Sequence, residues 1–396
     1  MSSAISFPIR APFRFHLTAL PDLLLDREWM LPSPATQIHT ISLSPQLPPH
    51  HSLSYSIKEA SSSTPSFHIV RDDLLHPLSN GNKARKLDAL LPLLRRHSTT
   101  DLVTCGGCQS AHAAAVAVCC AERGMRSHLL LRGERPEIPT GYNLISSMFG
   151  DVKYVARSAY SRRDEMLREH AEAIAGTGGS VVEVDEILRE EFDRRKLEDA
   201  DGGLRRVVIV NEGAASVVAL LGVIRLVRYL SDNTLFGKEQ QIQVVLDAGT
   251  GTTAVGLALG IICLGLPWKV TAVMLADTLE RYKEREKCLI SDLKRTYQID
   301  FGDLMPGEDD GIVQWVERFH ARKFGRVLNG EIELCRQIAH QTGILLDPIY
   351  TLAAWEHAAS LSLSKEAEDG KVVMLHTGGT LGMFGLAQRY TGYFNT

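Results

Sequence analysis

The sequence lacks the features that mark disulfide-rich secreted proteins and nucleic-acid-binding proteins. Its 396 residues contain seven cysteines, an odd number that indicates reduced thiols and argues against a disulfide scaffold. Basic residues do not outnumber acidic ones, and the net charge of −4 gives no basic surface for nucleic acid, so we expect no such partner. A chain of this length, with 44% hydrophobic residues, is sufficient for a large core and two domains.

Long apolar runs are also missing. The most hydrophobic stretch, AVGLALGIICLGLP at 254–267, is shorter than the about 20 residues that cross a bilayer, so it predicts a buried helix and no membrane partner. The first twenty residues contain no Asp or Glu, but they include Arg10 and Arg14. They have a weak likeness to a transit peptide, and this leaves both a mitochondrial and a cytoplasmic location open.

Periodic structure is expected to begin near residue 65. Residues 28–66 are rich in Pro, Ser and His and are predicted to be irregular, within a divergent N-terminal extension of residues 1–64. After it, short apolar strands alternate with helical patterns, which predicts an α/β fold with parallel sheets and helices on both faces. The predicted strands include DLVTC, SHLLLRG, VKYVAR, VVIVNEG, QIQVVLDA, KVTAVML and KVVML.

Turns at the carboxyl ends of such strands are where ligands bind. In DAGTGTTAVG, Gly249 and Gly251 let the backbone bend, and threonine hydroxyls add donors before a helix begins near Thr253. Exposed N–H groups and the helix dipole would together form a phosphate cup. No GK[ST] follows, which excludes a nucleotide P-loop, and the spacing misses GxGxxG. A phosphate cup and a glycine turn without a ligand remain alternatives.

A second turn, NGNKARK, contains the most reactive candidate. Lys83 lies beside Arg85 and Lys86, and burial or neighbouring cations favour the deprotonated, nucleophilic amine. Taken alone, the segment is more typical of a solvated basic helix start. Combined with a phosphate cup, a lysine suits a phosphorylated cofactor that bears a carbonyl group, and pyridoxal phosphate meets that description.

The segment TCGGCQSAHAAAVAVCC contains a third turn, which opens a helix at Ser110. At that position the side chain and the backbone N–H groups could hold a carboxylate. His112 is two residues further on and would not share a helical face with Ser110, which argues against a Ser-His dyad. Cys105 and Cys108 match the spacing of a redox pair, but no second pair follows, so we predict no metal site.

Together these turns resemble a known family, the fold type II pyridoxal-phosphate enzymes of the D-cysteine desulfhydrase and 1-aminocyclopropane-1-carboxylate deaminase branch. The resemblance covers about residues 65–390. It implies a two-domain fold like that of tryptophan synthase β, with a large cofactor domain (65–87 and 209–396), a small domain (88–208), and a homodimer. The matching segments are RDDL, GNKARKLDALL, CGGCQSAHAAAVA, GTGTTAVGLALG, GILLDPIYTLAAW and LHTGGTLGMFGL.

The resemblance also implies roles for individual residues. Lys83 would carry the cofactor covalently, and Thr377 would face the ring nitrogen and leave it largely unprotonated. Ser110 and Tyr350 would be catalytic, with the freed Lys83 amine as the first choice of base and Ser110 as the second. The phosphate would be bound by Gly249, Thr250, Gly251, Thr252 and Thr253. The substrate would be bound by Ser110, Gln109 and Thr351.

Two positions favour the desulfhydrase branch. Thr351 follows Tyr350, whereas the deaminase pattern has Tyr-Glu at these two positions. Thr377 follows His376, whereas the deaminase pattern reads His-Leu-Gly-Gly. The resemblance therefore implies a carbon–sulfur lyase that converts the amino acid D-cysteine into pyruvate, ammonia and hydrogen sulfide.

Departures from the family pattern leave alternatives open. Ala111 stands where the family usually has an asparagine that contacts the cofactor, and Leu352-Ala353 replaces a Gly-Lys pair. The alternatives are a 1-aminocyclopropane-1-carboxylate deaminase, a catalytically altered relative that binds pyridoxal phosphate, and a C-x-x-C thiol protein.

Overall fold

The structure is a computed structural model that describes residues 20–45, 53–57, 64–79, 81–192, 204–302, 311–364 and 370–395. The transit-like residues 1–19 lie outside these ranges. The strands are β1 (Ile38–Pro45), β2 (Leu53–Ile57), β3 (Ser66–Val70), β4 (Asp101–Gly107), β5 (Arg126–Arg132), β6 (Asp151–Val155), β7 (Ser180–Glu183), β8 (Arg206–Val210), β9 (Ile242–Ala248), β10 (Trp268–Met274), β11 (Gln314–Glu317) and β12 (Lys371–Leu375).

The helices connect these strands, and within the described ranges none has the length and apolar character needed to cross a membrane. They are α1 (Leu20–Leu25), α2 (Asn82–Asp88), α3 (Leu90–Arg96), α4 (Ala111–Ala121), α5 (Gly141–Phe149), α6 (Arg157–Tyr160), α7 (Arg163–Ala175), α8 (Val184–Phe192), α9 (Val217–Leu230), α10 (Thr252–Leu264), α11 (Leu279–Tyr297), α12 (Glu331–Thr342), α13 (Thr351–Leu363), α14 (Gly382–Arg389) and α15 (Thr391–Phe394).

The smaller of two sheets is entirely parallel, in the order β6-β5-β4-β8-β7. The inner strands β5, β4 and β8 are largely buried on both faces because helices cover both. Leu102 and Val208 pack into the core formed with α4 and α9, whereas the adjacent Val103 and Val207 pack against Leu167 of α7. The prediction of parallel strands between two helical layers is therefore confirmed here.

The larger sheet is mixed, in the order β11-β10-β9-β12-β3-β1-β2. The strands from β11 to β3 are parallel, so the carboxyl ends of β9, β12 and β3 lie side by side. Helices again cover both faces. Val244 packs into the core on the α9 and α10 side, while the adjacent Val245 packs against Trp355 of α13.

The N-terminal segment differs from the prediction. Residues 28–66 are not irregular throughout, because β1 and β2 are antiparallel strands that extend the large sheet beyond β3. Ile41 and Leu43 alternate with serines and face the core, and the many Pro, Ser and His residues around them concealed this short period-2 pattern. Further upstream, Leu20 and Leu24 of α1 are buried in the core shared with α9.

We propose that the two sheets correspond to the two domains. Every strand of the five-stranded sheet falls between Asp101 and Val210, and every strand of the seven-stranded sheet lies outside that range. This supports the expected division into residues 88–208 and the remainder. It also assigns the described strands of the N-terminal extension to the large domain.

A close crossing of two helices fixes the position of α2. A Cβ atom on Gly222 of α9 would lie 2.0 Å from the carbonyl oxygen of Arg85 and 3.0 Å from the Cβ atom of Asp88. Side chains cannot fit at that distance, so only glycine permits the contact. Asp88 is itself fixed, since its carboxylate accepts from the Leu31 amide at 2.7 Å and from Arg225 at 2.8 Å.

The substitution Gly222→Ala should destabilise the fold by about 1–3 kcal/mol, because an added methyl group overpacks this crossing. Chemical denaturation measures the change. Gly392→Ala is the matched control, since a Cβ atom there meets no atom within 4 Å. Equal denaturation midpoints for the two variants would show that the crossing tolerates a methyl group.

Candidate active site

Lys83 lies in the first turn of α2, two residues after a glycine whose positive φ and close contacts leave no room for a side chain. Gly81 has a φ of 71°, and a Cβ atom there would lie 1.9 Å from the carbonyl oxygen of Thr377. The Asn82 amide donates to the same oxygen at 3.1 Å. These contacts hold Lys83 at the carboxyl ends of β3 and β12, which is where the sequence predicts a ligand.

A buried ion pair between Arg85 and Asp72 joins α2 to the segment that follows β3. The guanidinium group of Arg85 donates twice to Asp72, with distances of 3.0 and 2.7 Å. The side chains of Arg85 and Asp72 are 1% and 0% exposed, so each charge depends on the other. Arg85 also donates to the Pro34 carbonyl oxygen at 2.8 Å, which connects the helix to the N-terminal segment.

The glycine-rich turn after β9 has the geometry expected of an anion cup. Gly251 has a φ of 82° and precedes α10, whose N-terminus has no side-chain cap. The first-turn N–H groups of a helix have no intrahelical acceptor, so they are available to an anion. The Thr250 and Thr252 hydroxyl oxygens lie 3.1 Å apart, and the Thr253 hydroxyl accepts from Asn82 Nδ2 at 3.1 Å. The cup and the Lys83 turn are therefore joined directly.

Two aromatic side chains, those of Trp315 and Tyr282, pack against the glycine-rich turn. A Cβ atom on Gly251 would lie 3.0 Å from the Trp315 ring and 3.2 Å from the Tyr282 ring, so the turn packs directly on both. The two rings stack with centroids 4.8 Å apart. The Tyr282 hydroxyl lies 2.6 Å from the Ala248 carbonyl oxygen, and Trp315 Nε1 donates to Glu286 at 2.6 Å.

Lys86 is a site residue that the sequence analysis did not assign. Its ammonium group donates to the Gly213 carbonyl oxygen at 3.0 Å and lies 3.5 Å from the Thr250 hydroxyl. Burial and the neighbouring Lys83 place the pKa of Lys86 well below its ordinary value. The spacing of one helical turn between the two lysines could have indicated that both face the cup.

Asp247 is the second residue that the sequence analysis missed. It is 4% exposed at the end of β9, and it accepts a hydrogen bond of 2.5 Å from the Thr377 hydroxyl. Burial and the nearby Asp347 raise the pKa of Asp247 to about 6, although Thr377 and Lys83 oppose the shift. Burial likewise lowers the pKa of Lys83, and Asp247 opposes that change.

Ser110 caps α4, and its hydroxyl accepts from the Ala113 amide at 3.2 Å. Its own proton remains available to a ligand. His112 is not its partner, because His112 Nε2 lies 3.0 Å from the Thr104 hydroxyl, whose proton goes to the Val210 carbonyl oxygen at 2.6 Å. His112 Nε2 therefore donates. Burial and the two lysines lower the pKa of His112 to about 3, so the ring is neutral.

Gln109 connects the Ser110 loop to the start of α5 and to α14. Its amide donates to the Thr140 carbonyl oxygen at 3.0 Å and accepts from the Tyr142 amide at 3.0 Å. The Gln109 side chain also packs on α14, where a Cβ atom on Gly385 would lie 2.5 Å from it. These contacts hold the Ser110 loop in place. A role for Gln109 in substrate binding stays a prediction.

Tyr350 lies beside the anion cup, and a Cβ atom on Gly249 would be 3.4 Å from its ring. Burial and the charges of Asp347 and Asp247 raise the pKa of Tyr350 above its ordinary value, so its hydroxyl stays protonated. Thr351 is 0% exposed, and its hydroxyl donates to Asp347 Oδ2 at 3.1 Å. The predicted contact between Thr351 and substrate remains a prediction, since this hydroxyl faces Asp347.

The cysteines of the C-x-x-C segment are free thiols. Burial and Glu212 raise the pKa of Cys105 to about 12, and burial raises that of Cys108. Protonated thiols are poor nucleophiles and poor metal ligands. Within the described part of the chain, no group of three or more His, Cys, Asp or Glu residues could hold a metal ion.

Pyridoxal phosphate, which the resemblance implies, fits these residues. The uncapped α10 N-terminus and the threonine hydroxyls suit its phosphate, and a dianion there would favour the charged form of the adjacent Lys86. A half-buried amine with a lowered pKa, Lys83, is available to its aldehyde. The hydrogen-bonded pair of Thr377, after β12, and Asp247, in β9, forms a polar end of the site.

Comparisons with known proteins agree with this fit. The chain is 61% identical over 95% of both chains to a rice protein (Oryza sativa subsp. japonica) named "Putative D-cysteine desulfhydrase 2, mitochondrial". It is 22% identical to the "Bifunctional D-cysteine desulfhydrase/1-aminocyclopropane-1-carboxylate deaminase, mitochondrial" of Arabidopsis thaliana, over 80% of this chain and 73% of that one.

The fold is shared with a solved structure described as an "ACC deaminase homologue", with a TM-score of 0.69 and 21% identity over 94% of this chain and 98% of that one. The sequence pattern of the family described as "Pyridoxal-phosphate dependent enzyme" matches residues 61–378. The chain therefore belongs to the pyridoxal-phosphate dependent enzymes.

Proposed function

We propose that this enzyme converts D-cysteine and water into pyruvate, ammonia and hydrogen sulfide. The observation that carries the proposal is the placement of the Lys83 amine, with a lowered pKa, beside an uncapped helix N-terminus lined with threonine hydroxyls. The name of the rice relative supports this substrate. The name of the Arabidopsis relative supports 1-aminocyclopropane-1-carboxylate as a second substrate.

The cofactor supplies an electron sink for negative charge at the substrate Cα atom. The chain provides the proton transfers and the orientation. Burial lowers the pKa of Lys83, which favours the deprotonated amine that can accept the Cα proton. We propose that the Ser110 hydroxyl and the α4 N-terminus hold the substrate carboxylate, since Ser110 accepts from Ala113 and retains a proton to donate.

The leaving sulfur needs a proton, and Tyr350 is the donor that we propose. Its raised pKa keeps the hydroxyl protonated at neutral pH, and its ring packs on Gly249 at the edge of the cup. Phe324 lies edge-on to this ring with centroids 5.5 Å apart, which restricts its orientation. Lys86 and the threonine hydroxyls would hold the phosphate.

We propose in addition a homodimer and a mitochondrial location. The exposed face of α5 and the residues near it include apolar side chains, with Met148 71% and Ile138 66% exposed, as does Phe384 of α14 at 59%. Such a surface suits a second copy of the chain. Both relatives carry "mitochondrial" in their names.

The substitution Lys83→Ala should abolish the visible absorbance of covalently attached cofactor and lower the rate of sulfide release by about 10²–10⁴-fold. Lys86→Ala is the matched comparison one helical turn away. It should keep the absorbance but weaken cofactor binding by about 10- to 150-fold, through loss of a charged hydrogen bond. Unchanged absorbance in the Lys83→Ala variant would refute the attachment site.

Replacing Tyr350 by Phe should leave cofactor binding intact and lower kcat at least about 10²-fold, because the proton donor is lost. Steady-state sulfide release measures the effect. Tyr229→Phe is the control, since that hydroxyl only approaches the Thr36 carbonyl oxygen at 3.5 Å, far along the chain from the site. Equal kcat values for Tyr350→Phe and the unmodified enzyme would remove Tyr350 from the mechanism.

Two product assays separate the candidate functions. We expect sulfide and pyruvate from D-cysteine, whereas deamination of 1-aminocyclopropane-1-carboxylate would give 2-oxobutanoate. A holoenzyme that releases only 2-oxobutanoate would favour the deaminase. Bound cofactor without turnover of either compound, or of a panel of D-amino acids, would favour the catalytically altered relative.

A further inference from the structure

Thr377 and Asp247 form a buried pair at the carboxyl ends of neighbouring strands. Asp247 is the penultimate residue of β9, and Thr377 follows β12, which is hydrogen-bonded to β9. The Thr377 hydroxyl donates to Asp247 Oδ1 at 2.5 Å, and the two residues are 7% and 4% exposed. The backbone of Thr377 also contacts the turn that leads into Lys83, which places the pair inside the site.

The direction of this hydrogen bond limits what Thr377 can offer to a third group. A threonine hydroxyl carries one proton and two lone pairs, whereas an ionised carboxylate only accepts. Because Thr377 gives its proton to Asp247, its oxygen can only accept from a ligand. A ring nitrogen next to that oxygen would therefore have to donate.

Burial and Asp347 disfavour the ionised form of Asp247, whereas the Thr377 hydrogen bond and Lys83 favour it. In their charged forms Lys83 and Lys86 attract the Asp247 carboxylate, whereas Asp347 repels it. The pKa of Asp247, about 6, lies below neutrality. A hydrogen-bonded cation at the far side of Thr377 would stabilise the carboxylate further.

We propose that Asp247, acting through Thr377, holds the ring nitrogen of bound pyridoxal phosphate in its protonated form. The inference rests on the cofactor placement of the proposed function. The protonated nitrogen donates to Thr377 Oγ1, and Thr377 donates to the Asp247 carboxylate, so each of the two protons has one donor and one acceptor. Asp247 is a positioning residue, since it does not touch the ring.

This arrangement reverses the expectation that a hydroxyl partner leaves the ring nitrogen unprotonated. Thr377 alone could donate to a free-base nitrogen, but its proton is committed to Asp247. A positive charge on the ring strengthens the electron sink. In this enzyme Thr377 would contact the ring nitrogen, and the Asp247 carboxylate bonded to Thr377 would stabilise the positive charge on that nitrogen.

The test is ¹⁵N NMR of the holoenzyme loaded with ring-¹⁵N-labelled pyridoxal phosphate. The unmodified enzyme should give a signal in the range of a protonated pyridine. Asp247→Asn and Thr377→Val should each move it well downfield, into the unprotonated range, because the charge or the bridging hydroxyl is lost. Thr342→Val is the matched control, since it removes a buried threonine hydroxyl that donates to the backbone carbonyl oxygen of Ile338, and it should leave the signal in place.

An unprotonated signal in the unmodified holoenzyme would overturn the inference, as would a protonated signal that persists in both variants. Two variants are used so that a failure of one to fold, detected by thermal denaturation, leaves the other as the test. Cofactor attachment is read separately by borohydride reduction and peptide mass at Lys83. Attachment with an unprotonated ring overturns only this inference, whereas no attachment overturns the proposed function as well.

Discussion

The reactive lysine is placed by a contact between two backbone segments that leaves no space for a side chain. Gly81 approaches the Thr377 carbonyl oxygen so closely that a Cβ atom would overlap it, and Asn82 bonds to the same oxygen. This contact joins the ends of β3 and β12, and Asn82 then reaches the cup through Thr253. One short turn therefore sets the distance between the amine, the cup and the polar end of the site.

The charges in the site act as a group. Lys83, Lys86, Asp247 and Asp347 are close enough that each carboxylate or amine alters the pKa of at least one other. Burial weakens the charged form of every member, and only the opposite charges and the hydrogen bonds offset this cost. A bound phosphate and a bound ring would add one anion and one polar group to this set, so cofactor binding and the protonation states are coupled.

Local motifs predicted much of this arrangement, and long-range contacts decided the rest. The glycine-rich turn, Lys83 and the parallel strands follow from short patterns, because backbone bending, helix starts and apolar runs are local properties. Asp247 was not predicted, since a single acid in an apolar strand has meaning only when Thr377, far along the chain, is bonded to it. The strands β1 and β2 were missed because their alternation is short and rich in serine.

The attachment of the N-terminal segment has a consequence for protein maturation. Leu20 and Leu24 are buried in the main core, and Leu31 bonds to Asp88 at the end of the helix that carries Lys83. A protease that removed the chain up to and including Leu31 would expose core surface. It would also remove the Leu31 amide that donates to the buried Asp88 carboxylate. A chain that begins before Leu20 keeps both the buried leucines and the Leu31–Asp88 hydrogen bond.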